Sequence, residues 1–196
     1  MSRTARLILA AGEGRRMGGA VKALLDIRGK SALERIAELA IGDGPTWVVT
    51  GFAADLVRRE AHALGLQTVH NPDWRRGQLS SVQCGLRALD ADVEAVLIHP
   101  VDLPLVRQND VDRLLEAWRR EDEPRPLVAV VTHDRRRGHP LLLHRTLFDE
   151  VLDLGDDRSL RDVVRAQGDA ILHVPVENPG ILRDLDRPED WRATRS

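Results

Sequence analysis

Short apolar runs alternate along the chain with segments in which apolar residues recur every three or four positions. The runs predict seven strands, at residues 6–10, 47–50, 67–70, 95–98, 127–131, 140–143 and 171–174. The spaced segments predict helices between the strands, and a final helix that begins at Pro188. Two capping-box patterns, Ser31 with Glu34 and Ser80 with Gln83, place two of the helix starts. This alternation predicts a three-layer α/β/α sandwich with a mostly parallel, Rossmann-like sheet.

The composition narrows the classes of protein to consider. A length of 196 residues predicts one domain that spans residues 1–196. The net charge of −2 and the 3% aromatic content argue against a nucleic-acid partner. A single cysteine, Cys84, excludes an internal disulfide and a cysteine-cluster metal site. No apolar run approaches the roughly 20 residues that span a bilayer, so we expect a cytoplasmic protein with no membrane partner.

In parallel α/β sheets, ligands bind beyond the carboxyl ends of the strands. This rule selects three segments, at residues 11–22, 99–104 and 177–190. The first is rich in glycine and reads LAAGEGRRMGGAVK over residues 9–22. It is not a dinucleotide-binding loop, because Met17 stands where the third glycine is needed, and Ala20 excludes a P-loop. Glycines still let backbone N–H groups approach an anion closely, so the loop indicates a phosphate site or, alternatively, a plain turn with solvated charges.

The basic residues of the glycine-rich loop favour the interpretation as a phosphate site. Arg15, Arg16 and Lys22 add positive charge to it. The chain has 29 basic residues, of which only Lys22 and Lys30 are lysines. Because most basic positions are arginine, a lysine in this loop suggests a specific role.

Two acidic motifs follow predicted strands. Asp102 lies in HPVDLP after the fourth strand, where a carboxylate suits Mg²⁺, although it could also cap the next turn. Asp186 lies in DLDRPED and is a second candidate ligand. Asp186 with Glu189 also forms a capping-box pattern for the last helix. Asp184 lies two residues upstream and faces the same side of an extended segment, so either carboxylate could reach the ion.

Five motifs, in this order, resemble the MobA-like NTP transferases, a family of nucleotidyltransferases with a GT-A-like fold. They are the loop at residues 9–22, Asn71 with GQLSS at 77–81, HPVDLP at 99–104, GHP at 138–140 and DLDRPED at 184–190. The family includes molybdenum cofactor cytidylyltransferase and guanylyltransferase. Arg187 replaces the threonine that is usual in the last motif.

The resemblance assigns roles to individual positions. It implies that Leu9, Ala10, Ala11 and Gly12 hold the base and ribose, that Gly14, Arg16 and Lys22 hold the triphosphate, and that Ser81 contributes to the nucleotide site. It places Mg²⁺ on Asp102 and Asp186, and the acceptor near His139. It also implies that Lys22, Arg16 and Asp102 are the catalytic residues. Ala11 and the GHP motif favour the cytidylyl branch.

The resemblance implies a Mg²⁺-dependent reaction in which an acceptor phosphate attacks the α-phosphorus of an NTP and pyrophosphate leaves. No general base is required, because a phosphate monoester with a second pKa of about 6 is already ionised. We expect CTP ahead of GTP, molybdopterin or its molybdenum form as acceptor, and transient contacts with molybdoenzymes or cofactor-pathway proteins. The alternatives are a nucleotidyltransferase for sugar or alcohol phosphates, a non-catalytic nucleotide-binding protein, and a glycosyltransferase whose D-x-D motif is Asp90-Ala91-Asp92. That last motif precedes a strand, at the wrong end of the sheet.

The sequence leaves two interpretations open both for His99 and for the arginine run at residues 135–137. His99 is either a packed histidine at a strand end or a site residue. The run Arg135-Arg136-Arg137 is either solvated or attracts a phosphorylated acceptor.

Overall fold

A seven-stranded mixed sheet forms the centre of the computed structural model, which describes residues 3–120 and 126–195. The strands lie in the order β5-β4-β1-β6-β8-β7-β9. They are β1 (Arg3–Ala10), β4 (Thr46–Thr50), β5 (Gln67–His70), β6 (Val93–Pro100), β7 (Val128–His133), β8 (Arg136–His144) and β9 (Ile171–Pro175). A separate hairpin pairs β2 (Asp26–Ile27) with β3 (Lys30–Ser31).

Most of the sheet is parallel, as the sequence predicts. β1 pairs in parallel with β4 and β6, β4 with β5, and β7 with β9. Only β8 runs antiparallel to both of its neighbours, β6 and β7. The carboxyl ends of β1, β4, β5 and β6 therefore meet at one edge, where the predicted motifs converge.

Helices cover both faces of the sheet. They are α1 (Ala32–Ala37), α2 (Ala54–Ala63), α3 (Gln78–Arg87), α4 (Gln108–Arg120), α5 (Phe148–Leu152), α6 (Leu160–Ala166) and α7 (Pro188–Arg195). Alternate residues of β1 face opposite layers: Leu7 and Leu9 pack with α3, whereas Ile8 and Ala10 pack with α1 and α2. The three-layer α/β sandwich is thereby confirmed. None of the described helices is long and apolar enough to cross a membrane.

The predicted capping box at Ser80 and Gln83 is wrong. Helix α3 begins three residues earlier than that box predicts, at Gln78, with Gly77 instead of Ser80 at its N-cap. The Ser80 hydroxyl donates to the Gly77 carbonyl at 2.8 Å, and the Gln83 amide donates to main-chain carbonyls at the end of α5 and beyond it. Tertiary partners, which the local pattern cannot show, set the register of this helix.

Strand β8 is bulged in the middle. Val130 of β7 pairs with Leu141 and Thr132 pairs with Arg137, so two steps along β7 face four along β8. Gly138, His139 and Pro140 therefore lie opposite a single residue, Val131, which is two residues more than in a regular ladder. Bulges re-aim side chains at strand ends, and this one lies beside the carboxyl end of β6.

Candidate active site

A cleft of about 390 Å³ opens at the carboxyl ends of β1 and β6, beside the start of α3. Eight of the residues predicted to bind the nucleotide line it: Leu9, Ala10, Ala11, Gly12, Gly14, Lys22, Ser81 and Asp102. We call it the nucleotide cleft. The structure thus gathers in one place residues that are up to 93 positions apart in the chain (Leu9 to Asp102).

The glycine-rich loop closes tightly on itself at Gly14. This residue has φ of +61°, and a Cβ atom there would lie 2.4 Å from the carbonyl oxygen of Ala20. The N–H groups of Met17 and Gly19 both donate to the Gly14 carbonyl, at 2.8 and 3.2 Å. A side chain at position 14 would therefore disrupt the loop as well as the cleft.

Trp74 and Arg75 form a wall of the nucleotide cleft that the sequence analysis missed. The Arg75 guanidinium lies over the Trp74 ring, 4.4 Å from its centroid. Gly51 makes this wall possible, because a Cβ there would lie 2.6 Å from the Cβ of Trp74 and 2.8 Å from that of Ala11. The available signal was an aromatic-arginine pair just after a parallel strand.

Four charged side chains form a network at the mouth of the nucleotide cleft. Lys22 Nζ donates to Asp102 Oδ2 at 3.0 Å and also to Asp186 Oδ1. Arg16 donates to the other oxygen of Asp186 at 2.9 Å. The Lys22 side chain is only 15% exposed, so its ion pairs are shielded from water. The network joins the glycine-rich loop, the β6 loop and the segment before α7.

The ion pairs shift the pKa values of Lys22 and Asp186 towards the charged forms. Burial by itself would lower the pKa of Lys22, but the carboxylates of Asp102 and Asp186 outweigh it, and the pKa is raised. The hydrogen bond from Lys22 is the main reason that the pKa of Asp186 is lowered. At neutral pH one ammonium therefore lies between two carboxylates.

The donor set fits a magnesium ion. Asp102 and Asp186 both form an ion pair with one cation, here the Lys22 ammonium, so an oxygen of each carboxylate lies next to a single position. Among residues 3–120 and 126–195, no group of three or more His, Cys, Asp or Glu could hold a metal. Mg²⁺ commonly binds through one or two carboxylates and takes its remaining ligands from phosphate and water.

The alternative capping role of Asp186 is not what the structure shows. At the start of α7 the Arg187 N–H donates to Asp190 Oδ2 at 2.9 Å, whereas the Asp186 carboxylate contacts Lys22 and Arg16. Asp184, the other candidate ligand, is exposed. The buried Leu185 between the two aspartates donates its N–H to the Asp102 carbonyl at 2.8 Å and fixes this segment to the β6 loop.

His99 is a packed histidine that holds the loop of Asp102 in place. Its side chain is fully buried, and Nε2 lies 3.0 Å from the Leu103 carbonyl oxygen, so Nε2 carries the proton. Burial lowers its pKa to about 3. His99 is consequently neutral at physiological pH and acts as a tether rather than as an acid or base.

A second cavity, of about 640 Å³, opens on the other side of the β6 end. It is lined by five arginines, by His139 and Gln78, and by apolar side chains; the arginines are Arg135, Arg136, Arg137, Arg161 and Arg165. We call it the arginine pocket. Gln78 also lines the nucleotide cleft, so the two cavities adjoin. Burial lowers the pKa of His139, and the charge of Asp102 opposes that shift, so His139 lies within the field of the acidic site.

Comparisons with known proteins find relatives in sequence and solved structures of the same fold. The molybdenum cofactor cytidylyltransferase of Escherichia coli (strain K12) is 28% identical over 169 residues, which are 86% of this chain and 79% of that protein. The nicotine blue oxidoreductase of Paenarthrobacter nicotinovorans is 33% identical over 149 residues, 70% of this chain and 69% of that protein. A crystal structure of Rv0371C from Mycobacterium tuberculosis H37Rv in complex with manganese has the same fold, with a TM-score of 0.79 at 22% identity over 99% of this chain and 98% of that one.

The family model of the MobA-like NTP transferase domain matches residues 6–171. That span covers the glycine-rich loop, the β6 loop with Asp102 and the bulge with His139. It ends before Asp186, which the fold brings back to Lys22. The chain therefore belongs to the MobA-like NTP transferase family of nucleotidyltransferases.

Proposed function

We propose that the protein transfers a nucleoside monophosphate from an NTP, CTP ahead of GTP, to the phosphate of a small acceptor. The observation that carries the proposal is the position of Lys22, which lies at the nucleotide cleft between two carboxylates suited to Mg²⁺. The preference for CTP is supported by Ala11 in the cleft and by the name of the E. coli relative.

The chemistry needs positioning and neutralisation of charge more than proton transfer. An oxygen of the acceptor phosphate forms a bond to the α-phosphorus, the bond from that phosphorus to the bridging oxygen breaks, and pyrophosphate leaves with the electron pair. In this proposal Lys22, which lines the cleft, and Arg16, which pairs with Asp186 at its mouth, would stabilise the charge of the leaving pyrophosphate. The side chains of Asp102 and Asp186 would hold Mg²⁺, whose contribution is to neutralise phosphate charge and orient the reacting groups. The manganese in the related M. tuberculosis structure supports a divalent ion here.

The acceptor would approach from the arginine pocket. This pocket adjoins the cleft at Gln78, and its residue His139 lies within the field of Asp102. Its basic lining suits a phosphate ester. We propose molybdopterin or its molybdenum form as acceptor, which the name of the E. coli relative supports, with molybdoenzymes or cofactor-pathway proteins as transient partners.

The test is pyrophosphate release. The purified protein with Mg²⁺ is incubated with CTP, GTP, ATP or UTP, each with molybdopterin, a sugar phosphate or an alcohol phosphate. We expect release with CTP and molybdopterin and none from Asp102→Asn. Release only with a sugar or alcohol phosphate would redirect the assignment of the acceptor. NTP binding without release in any combination would indicate a non-catalytic nucleotide-binding protein. Oxidation of a substrate without an NTP would instead indicate an oxidoreductase, the activity in the name of the P. nicotinovorans relative.

A further inference from the structure

The arginine pocket carries more positive charge than the reacting phosphate requires. Five guanidinium groups line it, and no aspartate or glutamate does. Within residues 3–120 and 126–195 none of the five forms an ion pair with a carboxylate. The acid between two of them on α6, Asp162, instead binds Ser159 and Arg158. A phosphate monoester carries at most two negative charges, so most of this field is left for another anionic group.

The arginines come from two separate elements. Arg135, Arg136 and Arg137 belong to the β7–β8 hairpin and the start of β8, beyond the bulge that holds His139. Arg161 and Arg165 are four residues apart on α6, so they lie on one face of that helix. Arginines from two elements thus line one pocket, which adjoins the nucleotide cleft at Gln78.

Apolar side chains line the same pocket as the arginines. Val130, Leu141 and Val164 are almost fully buried and line the same pocket. Its volume of about 640 Å³ matches a ligand with a ring-sized body rather than a lone phosphate. Apolar lining together with five guanidinium groups suits a ligand that has an apolar body and more than one anionic group.

We propose that Arg161 and Arg165 select acceptors that carry a second anionic group in addition to the reacting phosphate. The proposal rests on the proposed function, since it takes the arginine pocket to be the acceptor site. A guanidinium binds a carboxylate or phosphate through two parallel hydrogen bonds, and such a charged pair is worth about 1.5–3 kcal/mol, or roughly 10–100-fold in affinity. Acceptors with one anionic group would lose that contact.

A matched pair of ligands tests this selection. Phenyl phosphate and 4-carboxyphenyl phosphate share a ring and a phosphate and differ by one carboxylate at the far end. Each is titrated by calorimetry into the protein that holds Mg²⁺ and a non-hydrolysable CTP analogue. We expect the wild type to bind 4-carboxyphenyl phosphate at least about tenfold more tightly than phenyl phosphate. We expect the double variant Arg161→Gln/Arg165→Gln to bind both equally, with the affinity for phenyl phosphate within about twofold of wild type.

The control variant is Arg59→Gln/Arg113→Gln, which removes the same charge from exposed positions on α2 and α4 and should keep the wild-type preference. The proposal fails if the wild type shows no preference, if the preference survives in the double variant, or if the double variant weakens both ligands equally. Pyrophosphate release is measured in parallel with CTP and the acceptor found above. If the wild type releases pyrophosphate but shows no preference, the selection is overturned and the nucleotidyltransferase activity stands. If the wild type shows the preference but releases no pyrophosphate, the proposed transfer reaction is overturned and the selection of ligands stands.

Discussion

The nucleotide cleft and the arginine pocket adjoin at Gln78, but they differ in whether their positive charges are paired with acidic side chains. In the cleft, Lys22 and Arg16 are bonded to Asp102 and Asp186, so the charges already balance. In the pocket, five arginines line the wall without an acidic partner there. A balanced cluster is ordered before any ligand arrives, and a ligand must rearrange it. An unbalanced wall attracts an anion directly. We infer that the cleft takes its ligand together with a cation, whereas the pocket takes an anion alone.

The largest expected effect comes from a substitution in the nucleotide cleft that leaves the arginine pocket unchanged. Asp102→Asn keeps the shape of the side chain but removes the charge on which Lys22 and Mg²⁺ would depend. We expect turnover to fall by about 10³-fold or more, since neutralisation of phosphate charge by a bound metal contributes several kcal/mol. Single-turnover CTP assays measure this effect, and circular dichroism checks the fold. Near-wild-type turnover would make the carboxylate structural.

Lys22→Met tests two roles of the ammonium: stabilisation of charge on the reacting nucleotide, and competition with the metal for the carboxylates of Asp102 and Asp186. We expect a 10²–10³-fold loss of rate, a typical cost for removing one group that stabilises developing charge. Mn²⁺ binding without nucleotide, followed by electron paramagnetic resonance, should become about tenfold tighter or more, because the carboxylates lose a competing charged hydrogen bond. Lys30→Met removes the chain's other lysine and serves as the control. Unchanged Mn²⁺ affinity in Lys22→Met would show that Lys22 does not occupy the ion's position.

The second candidate ligand gives a smaller effect. Asp186→Asn should weaken the apparent affinity for Mg²⁺ by about tenfold or more, since even outer-shell partners of a metal contribute 10–100-fold. Its thermal midpoint should stay nearly unchanged, because Asp190 and not Asp186 accepts the N–H at the start of α7. The exposed Asp184→Asn is the matched control. A defect confined to Asp184→Asn would move the ligand two residues upstream.

The smallest effect concerns stability below neutral pH. The pKa of His99 is about 3 in the folded protein against an ordinary 6.5, so below pH 6.5 the unfolded chain takes up a proton that the folded protein refuses. Stability is therefore unaffected by His99 above pH 6.5 and falls by about 1.4 kcal/mol per pH unit as the pH drops towards 3. His99→Gln can keep the bond to the Leu103 carbonyl but does not titrate.

Urea unfolding at pH 7 and pH 5 measures that difference. The loss of stability between the two pH values should be smaller in His99→Gln than in the wild type. His62→Gln, at an exposed position on α2, is the control and should leave it unchanged. An identical loss in His99→Gln and the wild type would mean that another group, such as the buried ring of His139, causes the acid sensitivity.

Patterns local to the sequence were sufficient to predict much of the region around the nucleotide cleft. Apolar runs predicted the strands, and the parallel sheet placed residues 11–22, 99–104 and 177–190 at one edge, where the structure has them. The glycines at residues 12–19 predicted a tight loop that suits an anion or a plain turn, and Gly14 has a φ of +61° in the structure. These features depend on neighbours in the chain or on the period of a strand, and both are visible in the sequence.

Contacts between distant segments decided the rest. The pairing of Lys22 with Asp186 joins residues 164 positions apart, and no local pattern separates that role from the capping role that Asp190 takes. The partners of Gln83 lie on a different helix, so the start of α3 was misplaced. Arg161 and Arg165 are ordinary surface residues in the sequence; only the packing of α6 beside the bulged β8 sets them opposite Arg135–Arg137 around one pocket. Sequence patterns fix which elements form because their hydrogen bonds and periodicity are local, whereas the charges that share a site are decided by packing.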